Sequence, residues 1–278
     1  MEYSSNMLNN INSSEYLACK EMYLQGKSLT EIEKETGFSR KKLSRLLKIE
    51  GINIKINNKK HDYNEDFFRR IDSEEKAYWL GFLYADGTVN NFDKYELKLA
   101  ISKKDIEHLK KFEKNMVFSD TSLIKFEYPV LNGKQYESCK LIITNKNIVL
   151  DLIDKGCLPN KTFNLKMPKE IIPKHLMKHF IRGFFDGDGS ISKTGKYLSL
   201  SFTGYKDFLE ELSLYILDEL GLENNSESNY VYKTKSNAYC LGINNKEYHD
   251  KFYSYIYDNS TIYLERKKQV FDEHYNRK

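Results

Sequence analysis

The sequence predicts an α+β protein in which a small all-α domain is followed by two pseudo-symmetric halves, each with the order αββαββα. Three observations support this fold class. The first 50 residues carry only helical periodicity with capping signals, later segments alternate apolar and polar residues, and one order of helix and strand patterns occurs twice. We expect four regions, namely a helical domain at residues 1–50, a basic linker at 51–62, a first half at 63–165 and a second half at 166–278.

Length and composition are those of an ordinary globular protein. Of the 278 residues, 40% are hydrophobic and 14% are aromatic, which is enough for packed cores. The net charge of +4 is small, so its distribution is more informative than its sum. The absence of a signal peptide and of any apolar stretch near 20 residues predicts a cytoplasmic protein without a membrane partner. Four dispersed cysteines favour a reducing compartment and match no zinc-binding spacing: Cys19, Cys139, Cys157 and Cys240.

The first 50 residues contain three short helical patterns. The first covers Glu15–Gln25, the second begins at a capping box formed by Ser28 and Glu31, and Ser39 is expected to cap the third. This layout resembles the helix-turn-helix domains of resolvases and invertases, in which the last helix enters the DNA major groove. The outward residues of that helix are the expected DNA contacts: Arg40, Lys41, Lys42, Ser44 and Arg45.

A run of positive charge continues into the linker. Between Arg40 and Lys60 there are eight basic residues and one acid, Glu50. Such a run suits a polyanion, although a solvated face or a protein-binding three-helix bundle accounts equally well for the charge alone. We expect the linker to lie along a phosphate backbone through Lys55, Lys59 and Lys60.

The two halves share their order of elements. Each begins with an apolar helix that ends in Asp-Gly, and each helix is followed by an alternating strand, at residues 95–102 and 197–204. A helix and a hairpin come next in each half. The first hairpin is expected to turn at Asn132-Gly133 and the second near Ser236-Asn237.

Small residues recur four apart on the two Asp-Gly helices. Gly81 and Ala85 lie on one helix, and Gly183 and Gly187 lie on the other. Because an interior glycine costs about 1 kcal/mol relative to alanine, close packing of the two helices must offset that loss. The spacing therefore predicts that these four residues form a helix–helix interface.

Each of these helices ends in a carboxylate, Asp86 or Asp188. A carboxylate at a helix C-terminus faces the negative end of the helix dipole, and pairing the helices brings two like charges together. A divalent cation relieves both conflicts, and hard oxygen ligands suit Mg²⁺. The alternative for either aspartate alone is a simple helix stop, with Gly87 and Gly189 as left-handed C-caps, but its repetition favours a metal centre.

The two segments WLGFLYADG (79–87) and IRGFFDGDG (181–189) resemble the motifs of LAGLIDADG homing endonucleases of the monomeric, two-motif type. The resemblance spans residues 63–278. It implies that the motif helices form the interface between halves, and that each half presents a curved antiparallel sheet over the DNA major groove. Tyr84 departs from the usual acid at the sixth motif position, whereas Asp186 keeps it.

The resemblance also implies an activity. Asp86 and Asp188 would hold Mg²⁺, which Mn²⁺ can replace, and a monomer would cut both strands of a long asymmetric site in double-stranded DNA, leaving short 3′ overhangs. Family members often keep a basic residue near this centre, for which Lys161 is the first candidate and Lys267 the second. Polar strand faces and hairpins would contact DNA through Lys98, Lys125, Lys134, Lys140, Ser199, Ser201, Tyr232, Lys233 and Lys235.

Two other functions fit the same sequence. One is a DNA-binding regulator on a degenerate LAGLIDADG scaffold that no longer cuts, and the other is an RNA maturase that aids intron splicing. Both aspartates are present, which favours the endonuclease. The chain lacks the splice-junction residues of an intein, so we expect a free-standing enzyme of a mobile genetic element.

Overall fold

The computed structural model describes residues 13–52, 61–92, 94–119, 121–159, 165–195, 197–223, 229–234, 238–243 and 246–275. The chain divides into two compact units, residues 1–61 and 62–278. Lys55, Lys59, Lys60, Lys161, Lys235 and the turn at Ser236-Asn237 lie outside the described residues. In the described part of the chain, no helix has the length and apolarity needed to cross a bilayer.

The first unit contains three helices, α1 (Ser14–Leu24), α2 (Leu29–Thr36) and α3 (Arg40–Ile49). The capping box at the start of α2 is present, because the Ser28 hydroxyl accepts from the Glu31 amide at 3.3 Å and the Glu31 carboxylate accepts from the Ser28 amide at 2.8 Å. Gly37 ends α2 with φ of +72°, which favours glycine. Buried apolar residues join the three helices: Tyr16, Cys19, Ile32, Phe38, Leu43, Leu46 and Leu47.

The start of α3 differs from the expectation. The Ser39 side chain makes no capping hydrogen bond. Instead, the Glu33 carboxylate of α2 reaches across the turn and accepts from the Arg40 amide at 2.9 Å. An acid from the neighbouring helix therefore stabilises the first turn of α3, and it also lies 3.7 Å from the Arg40 guanidinium.

The second unit repeats one order of elements. Its first half contains α4 (Glu74–Asp86), β1 (Gly87–Asn90), β2 (Glu96–Ser102), a 3-10 turn (Lys103–Asp105), α5 (Ile106–Met116), β3 (Lys125–Glu127), β4 (Val130–Leu131), β5 (Lys134–Gln135), β6 (Ser138–Thr144) and α6 (Lys146–Asp154). Its second half contains α7 (Lys174–Asp188), β7 (Gly189–Thr194), β8 (Tyr197–Gly204), α8 (Lys206–Leu220), β9 (Asn229–Lys233), β10 (Tyr239–Ile243), α9 (Lys246–Tyr257) and α10 (Glu265–Tyr275).

Each half builds one antiparallel sheet, with strand order β1-β2-β6-β3 in the first and β7-β8-β10-β9 in the second. The corresponding order of strands confirms the predicted α+β fold and its internal repeat. Helix α10 was not predicted, because residues 265–275 contain many charges and only a short apolar face. The hairpin between β4 and β5 turns at Asn132 (φ +51°) and Gly133 (φ +73°), as predicted for an Asn-Gly turn.

The strands alternate as their sequences predict. On β2, residues Leu97, Leu99 and Ile101 are buried, while the residues between them are partly exposed. On β8, Leu198, Leu200 and Phe202 are buried in the same way. Each sheet therefore packs one apolar face against the core and leaves its other face to solvent.

The two sheets share a core that is centred on α4 and α7. Backbone meets backbone at the crossing, because a Cβ built on Gly81 would collide with the Phe180 carbonyl and one on Gly183 would collide with the Tyr78 carbonyl. A Cβ on Gly187 would collide with that of Ala85. The four small residues that the sequence places on these helices therefore lie at their interface.

Candidate active site

Both motif helices run directly into a strand. Gly87 (φ −72°, ψ 145°) and Gly189 (φ −78°, ψ 153°) are extended, so they are not left-handed C-caps. Glycine is needed here for space, since a Cβ on Gly87 would lie 2.7 Å from the Leu83 carbonyl oxygen. Asp86 and Asp188 are thus fixed between a helix and the first strand of a sheet.

The helix crossing brings these two aspartates to the same end of the helix pair. A Cβ built on Gly187, the residue before Asp188, would lie 3.5 Å from the Asp86 Oδ2. Asp86 is exposed and Asp188 is partly exposed. Two carboxylates from different halves therefore face solvent at one point, where like charges destabilise each other unless a cation is near.

A buried lysine lies beneath this point. Lys267, at the start of α10, is only 3% exposed, and its ammonium donates to the carbonyl oxygens of Phe185 and Asp186, each at 2.7 Å. It also contacts the carbonyls of Gly187 and Gly189. The positive charge thus offsets the negative C-terminus of α7, which carries Asp188.

The surroundings of Lys267 change its pKa in two opposite directions. Burial lowers the pKa of Lys267 to about 8, whereas the carboxylates of Asp186, Asp86 and Asp188 favour the protonated form. Its protons are directed at backbone carbonyls rather than at solvent. Lys267 therefore stabilises the end of α7, and its ammonium is not directed toward a phosphate.

Asp186, two residues before Asp188, is fully buried and accepts three hydrogen bonds. The donors are the Tyr78 hydroxyl at 2.7 Å, the Leu264 amide at 2.8 Å and the Tyr257 hydroxyl at 3.2 Å. Burial raises the pKa of Asp186 to about 6, against the lowering effects of Lys267 and of these donors. The carboxylate ties the two motif helices to the segment that leads into α10.

The network continues to His108. Because the Tyr78 proton is donated to Asp186, the contact of 2.9 Å between the Tyr78 oxygen and the His108 Nε2 requires that Nε2 carry a proton. Burial lowers the pKa of His108 to about 3, so the ring is neutral. A chain of buried polar groups therefore extends from the first half to the end of the second motif helix.

A second buried cation joins the halves further along α7. The Arg182 guanidinium is completely buried and donates to the carbonyls of Ile262 at 2.8 Å and Ile256 at 2.6 Å, and to the Glu74 carboxylate at 2.6 Å. Glu74 begins the first motif helix and also accepts from the Thr261 amide at 2.7 Å. Each of the three guanidinium nitrogens thus makes a hydrogen bond, and these bonds fix the position of the two helices relative to each other.

A cavity of about 260 Å³ opens beside this end of the helix pair, and its lining includes Asp86, Asp105, Asp186 and Arg266. Arg266 of α10 binds the Asp105 carboxylate through its Nε at 2.9 and 3.0 Å. This ion pair connects the last helix of the second half to the first half. It leaves a polar opening next to the exposed Asp86.

The expected DNA-contact residues of the first sheet lie on its solvent face. Lys98 is partly exposed on β2. Lys140 pairs with both Lys125 and Ala100, and Ala100 lies two residues from Lys98, so the three lysines lie on the same side of the sheet. Lys140 forms an ion pair with Glu127 on this face. Lys134 is exposed on the β4–β5 hairpin, 5.7 Å from the Tyr136 ring.

The second sheet shows a different surface. Ser199 and Ser201 on β8 and Tyr232 on β9 lie on its solvent face. Lys233 pairs with Tyr239, two residues along β9 from Val231, which is partly buried and pairs with the buried Leu241. Lys233 therefore lies on the core-facing side of the sheet, at its edge. Strand alternation therefore separates Lys233 from the other expected contacts.

The basic face of the first unit is formed as expected. Arg40, Lys41, Lys42 and Arg45 are exposed on α3, and Ser44 is partly exposed. The hydrophobic residues of α3 face α1 and α2. The likeness of this unit to resolvase and invertase domains stays a prediction.

Sequence reasoning missed most of the buried polar groups around the site. The motif pattern drew attention to Asp186, but Glu74, Tyr78, His108, Arg182 and Tyr257 were not singled out. One signal was available, since a lone arginine inside the otherwise apolar segment of α7 requires a buried acceptor. The contacts of Tyr78 with Asp186 and His108 depend on sequence separations of 108 and 30 residues, which no local pattern reports.

Comparison with known proteins first defines the class of fold. The structure of the homing endonuclease I-WcaI bound to its DNA recognition sequence aligns with 73% of this chain and 91% of its own, with a TM-score of 0.54 and 15% identity. Full-length DUF199/WhiA from Thermatoga maritima aligns with 77% of this chain and 64% of its own, with a TM-score of 0.47 and 16% identity. The protein therefore has the LAGLIDADG homing endonuclease fold.

Sequence comparison also matches the second half to a known family model. Residues 176–257 match the model of the LAGLIDADG-like domain, in agreement with the resemblance of the second motif. The replication factor C small subunit of Methanocaldococcus jannaschii is 28% identical over 190 residues, which are 65% of this chain and 10% of that protein. The probable translation initiation factor IF-2 of the same organism is 28% identical over 173 residues, 60% of this chain and 13% of that protein. The chain thus spans about a tenth of these curated relatives.

Proposed function

We propose that this protein is a site-specific, divalent-metal-dependent endonuclease that cuts both strands of a long asymmetric site in double-stranded DNA and leaves short 3′ overhangs. The observation that carries the proposal is the convergence of Asp86 and Asp188, one from each half, at the same end of two closely packed helices. The LAGLIDADG-like domain and the endonuclease fold support it. A single chain with two motifs is expected to act as a monomer.

The donor set fits a hydrated divalent cation. In the described residues, no cluster of three or more histidine, cysteine, aspartate or glutamate side chains forms a closed metal site. Two exposed carboxylates that leave other ligand positions to water and phosphate oxygens match the preference of Mg²⁺, which keeps several waters, and Mn²⁺ can take the same ligands. When bound, the metal would activate water and stabilise charge on the phosphate.

The remaining residues would position this pair. Lys267 offsets the negative end of α7 and thereby stabilises the backbone that carries Asp188. Asp186 and Arg182 fix the two motif helices relative to α10 and Glu74. A rigid shell of this kind keeps two carboxylates in place without their having to reorganise when DNA and metal bind.

The surfaces around the site would bind the DNA. Lysines on the first sheet, hydroxyl groups on the second and the basic face of α3 supply phosphate and base contacts of complementary chemistry. We propose that the first unit is a helix-turn-helix module and that Lys55, Lys59 and Lys60 of the linker follow the phosphate backbone. The unit would add affinity through DNA contacts of its own.

A non-cutting DNA-binding regulator is the second candidate. Two observations favour it, namely the tyrosine at position 84 and the engagement of the Lys267 ammonium by backbone carbonyls. In that case the two aspartates would have only the structural role of ending the helices. Cleavage distinguishes this candidate from an endonuclease, and rescue of intron splicing in vitro would reveal a maturase.

The test uses a duplex DNA library with a long randomised segment. Purified protein with Mg²⁺ is incubated with the library, and the new ends are sequenced. We expect cuts at one recurring sequence with short 3′ overhangs, and we expect Asp86→Asn and Asp188→Asn each to reduce the cutting rate by at least about 10²-fold while DNA binding persists.

Asp66→Asn is the matched control, because the Asp66 side chain is exposed and pairs only with Arg69 among the described ion pairs of its neighbourhood. It should cut at the rate of the unmodified protein. Sequence-selective binding without any cutting by the unmodified protein would support the regulator. Unchanged cutting by either motif variant would exclude that aspartate from the site.

A further inference from the structure

The solvent faces of the two sheets differ in chemical character. The first sheet presents charged residues on three of its strands. These are Glu96 and Lys98 on β2, Lys125 and Glu127 on β3, and Lys140 on β6. On the second sheet, the residues that register places on the solvent face and whose side chains the structure describes are uncharged: Ser190, Ser192, Tyr197, Ser199, Ser201, Thr203, Tyr230, Tyr232, Cys240 and Gly242. Two faces at corresponding positions of one fold therefore offer different contacts.

Three described tyrosines lie on the second face, and two of them, Tyr230 and Tyr232, are neighbours on β9. The rings of Tyr230 and Tyr232 lie with their centroids 5.2 Å apart and their planes at 33°. They are 39% and 43% exposed. Their neighbours in the same rows across β10 and β8 are glycine, cysteine, serine and threonine, so the rings are the largest side chains there. Half-exposed aromatic rings amid small polar groups form an apolar surface on the sheet.

The backbone beneath the rings holds them in place. A Cβ on Gly242 would lie 3.4 Å from the Tyr232 ring and 3.5 Å from the Tyr230 ring, so the rings lean over a residue that has no side chain. Tyr232 also lies directly opposite Cys240 in the register of β9 and β10. Because the rings are already ordered, contact with a ligand costs little side-chain entropy.

We propose that Tyr230 and Tyr232 are specificity-determining residues that contact thymine methyl groups in one half of the DNA site, an inference that rests on the proposed function. The thymine methyl is the apolar group that base pairs present in the major groove, and sheet residues can enter that groove. The second sheet therefore reads bases by apolar contact and hydroxyl hydrogen bonds. The first sheet presents lysines to its half of the site, and these can contact both phosphates and bases.

Binding measurements without divalent metal test this assignment independently of cleavage. The unmodified protein selects duplexes from a randomised pool, and the bound sequences are determined. In the half of the recovered site read by the second sheet, we expect thymine at one or more positions, and replacing it by deoxyuridine, which lacks only the methyl, should weaken binding about 4-fold for each methyl contacted.

Two sets of variants separate the sheets. Tyr230→Ala with Tyr232→Ala should erase the thymine preference and the deoxyuridine effect in one half of the site, leaving the other half unchanged. Tyr230→Phe with Tyr232→Phe keeps both rings and should keep the preference. Lys98→Ala with Lys125→Ala should leave the thymine preference in the half read by the second sheet intact and lower the slope of log affinity against log salt by about 1 for each phosphate that no longer has a lysine partner.

The outcomes are decisive in each direction. Thermal unfolding of the alanine and phenylalanine variants shows whether they are folded, and the comparison of thymine with deoxyuridine in the unmodified protein carries the test if the alanine pair is not. A preference that survives in the folded alanine variant, or equal binding of thymine and deoxyuridine by the unmodified protein, overturns the inference while leaving a cutting enzyme intact. Selective binding with the deoxyuridine effect but without cutting supports the inference and removes the nuclease. Failure to select any duplex overturns both.

Discussion

The ends of the two motif helices are built differently although their sequences align. At the end of α7, Asp186 accepts three hydrogen bonds and Lys267 donates to the last carbonyls of the helix. At the end of α4, Tyr84 replaces the acid, and its hydroxyl donates to the Lys155 carbonyl at 2.6 Å. The repeat therefore determines where the two aspartates lie, whereas the groups that stabilise the two helix ends have diverged.

The difference follows from α10. Among the described residues, the second half continues into a helix that supplies Arg266 and Lys267, and Leu264 just before it donates its amide to Asp186. The first half instead uses the tyrosine ring, which packs against Phe180 with the centroids 4.9 Å apart. One helix end is therefore stabilised by charge and the other by apolar packing.

The largest effect is expected from substitution of the glycines at which α4 and α7 meet. Gly81→Ala and Gly183→Ala should each destabilise folding by about 3 kcal/mol, because the new methyl must push two backbones apart. Gly204→Ala is the control, since its Cβ would make ordinary contacts at 3.4–3.7 Å. Urea unfolding measures the change, and a loss no greater than that of Gly204→Ala would contradict direct backbone packing.

Removal of the buried lysine should have the next largest effect. Lys267→Met leaves the carbonyls at the end of α7 without their donor, and we expect about 2–3 kcal/mol of lost stability together with slower DNA cleavage. Lys268→Met removes a partly exposed pair with Asp272 and a cation–π contact with Tyr263, so it should cost about 1 kcal/mol. Similar losses in the two variants would show that Lys267 is not a special support.

The sixth motif position is Asp186 in the second half and Tyr84 in the first, and substitutions there compare how the two helix ends are stabilised. Asp186→Asn keeps the shape of the side chain but offers one acceptor oxygen to three donors, so it should cost about 2 kcal/mol. Tyr84→Phe loses one hydrogen bond to a carbonyl and should cost about 1 kcal/mol. Thermal unfolding at pH 7 compares them, and a larger cost for Tyr84→Phe would reverse the assignment of the two ends.

A further effect is a dependence of stability on pH. His108 has a pKa of about 3 in the folded protein, against an ordinary value near 6.5 in the unfolded chain. As pH falls below about 6.5, the unfolded chain binds a proton that the folded protein excludes, so the stability present above that pH is lost toward pH 3. The limiting slope for one proton is about 1.4 kcal/mol per pH unit.

His108→Phe should remove this slope between pH 6.5 and 5, whatever its effect on stability at pH 7. Asp186 acts in the opposite sense, because its raised pKa makes the folded protein bind a proton near pH 6. Comparing the variant with the unmodified protein cancels that contribution if Asp186 keeps its surroundings. Urea unfolding at several pH values gives the slope, and identical slopes would show that His108 titrates normally.

Sequence patterns predicted the fold because they are local. The alternation of Leu97, Leu99 and Ile101, the Asn132-Gly133 turn and the capping box at Ser28 each depend on neighbours within a few residues. The paired glycines added one long-range prediction, since the repeat itself indicated which helices meet. The helix interface and both aspartates therefore followed from the sequence.

The support of the site did not follow, because it is made by contacts between distant segments. The hydrogen bonds of Asp186 to Tyr78 and Leu264 span 108 and 78 residues. Lys267 was singled out only as a second choice near the site, and its burial under α7 depends on a helix that its charged sequence did not predict. Single-residue expectations on strand faces also depend on register, as the position of Lys233 shows.

The most direct measurement of the central claim is metal binding by the protein–DNA complex. Electron paramagnetic resonance of Mn²⁺, titrated into a complex of the protein with its selected duplex, counts the bound ions. We expect the unmodified complex to bind Mn²⁺ and expect Asp86→Asn and Asp188→Asn each to weaken that binding while the DNA stays bound. Equal Mn²⁺ binding by all three complexes would contradict a shared metal centre at the ends of the two helices.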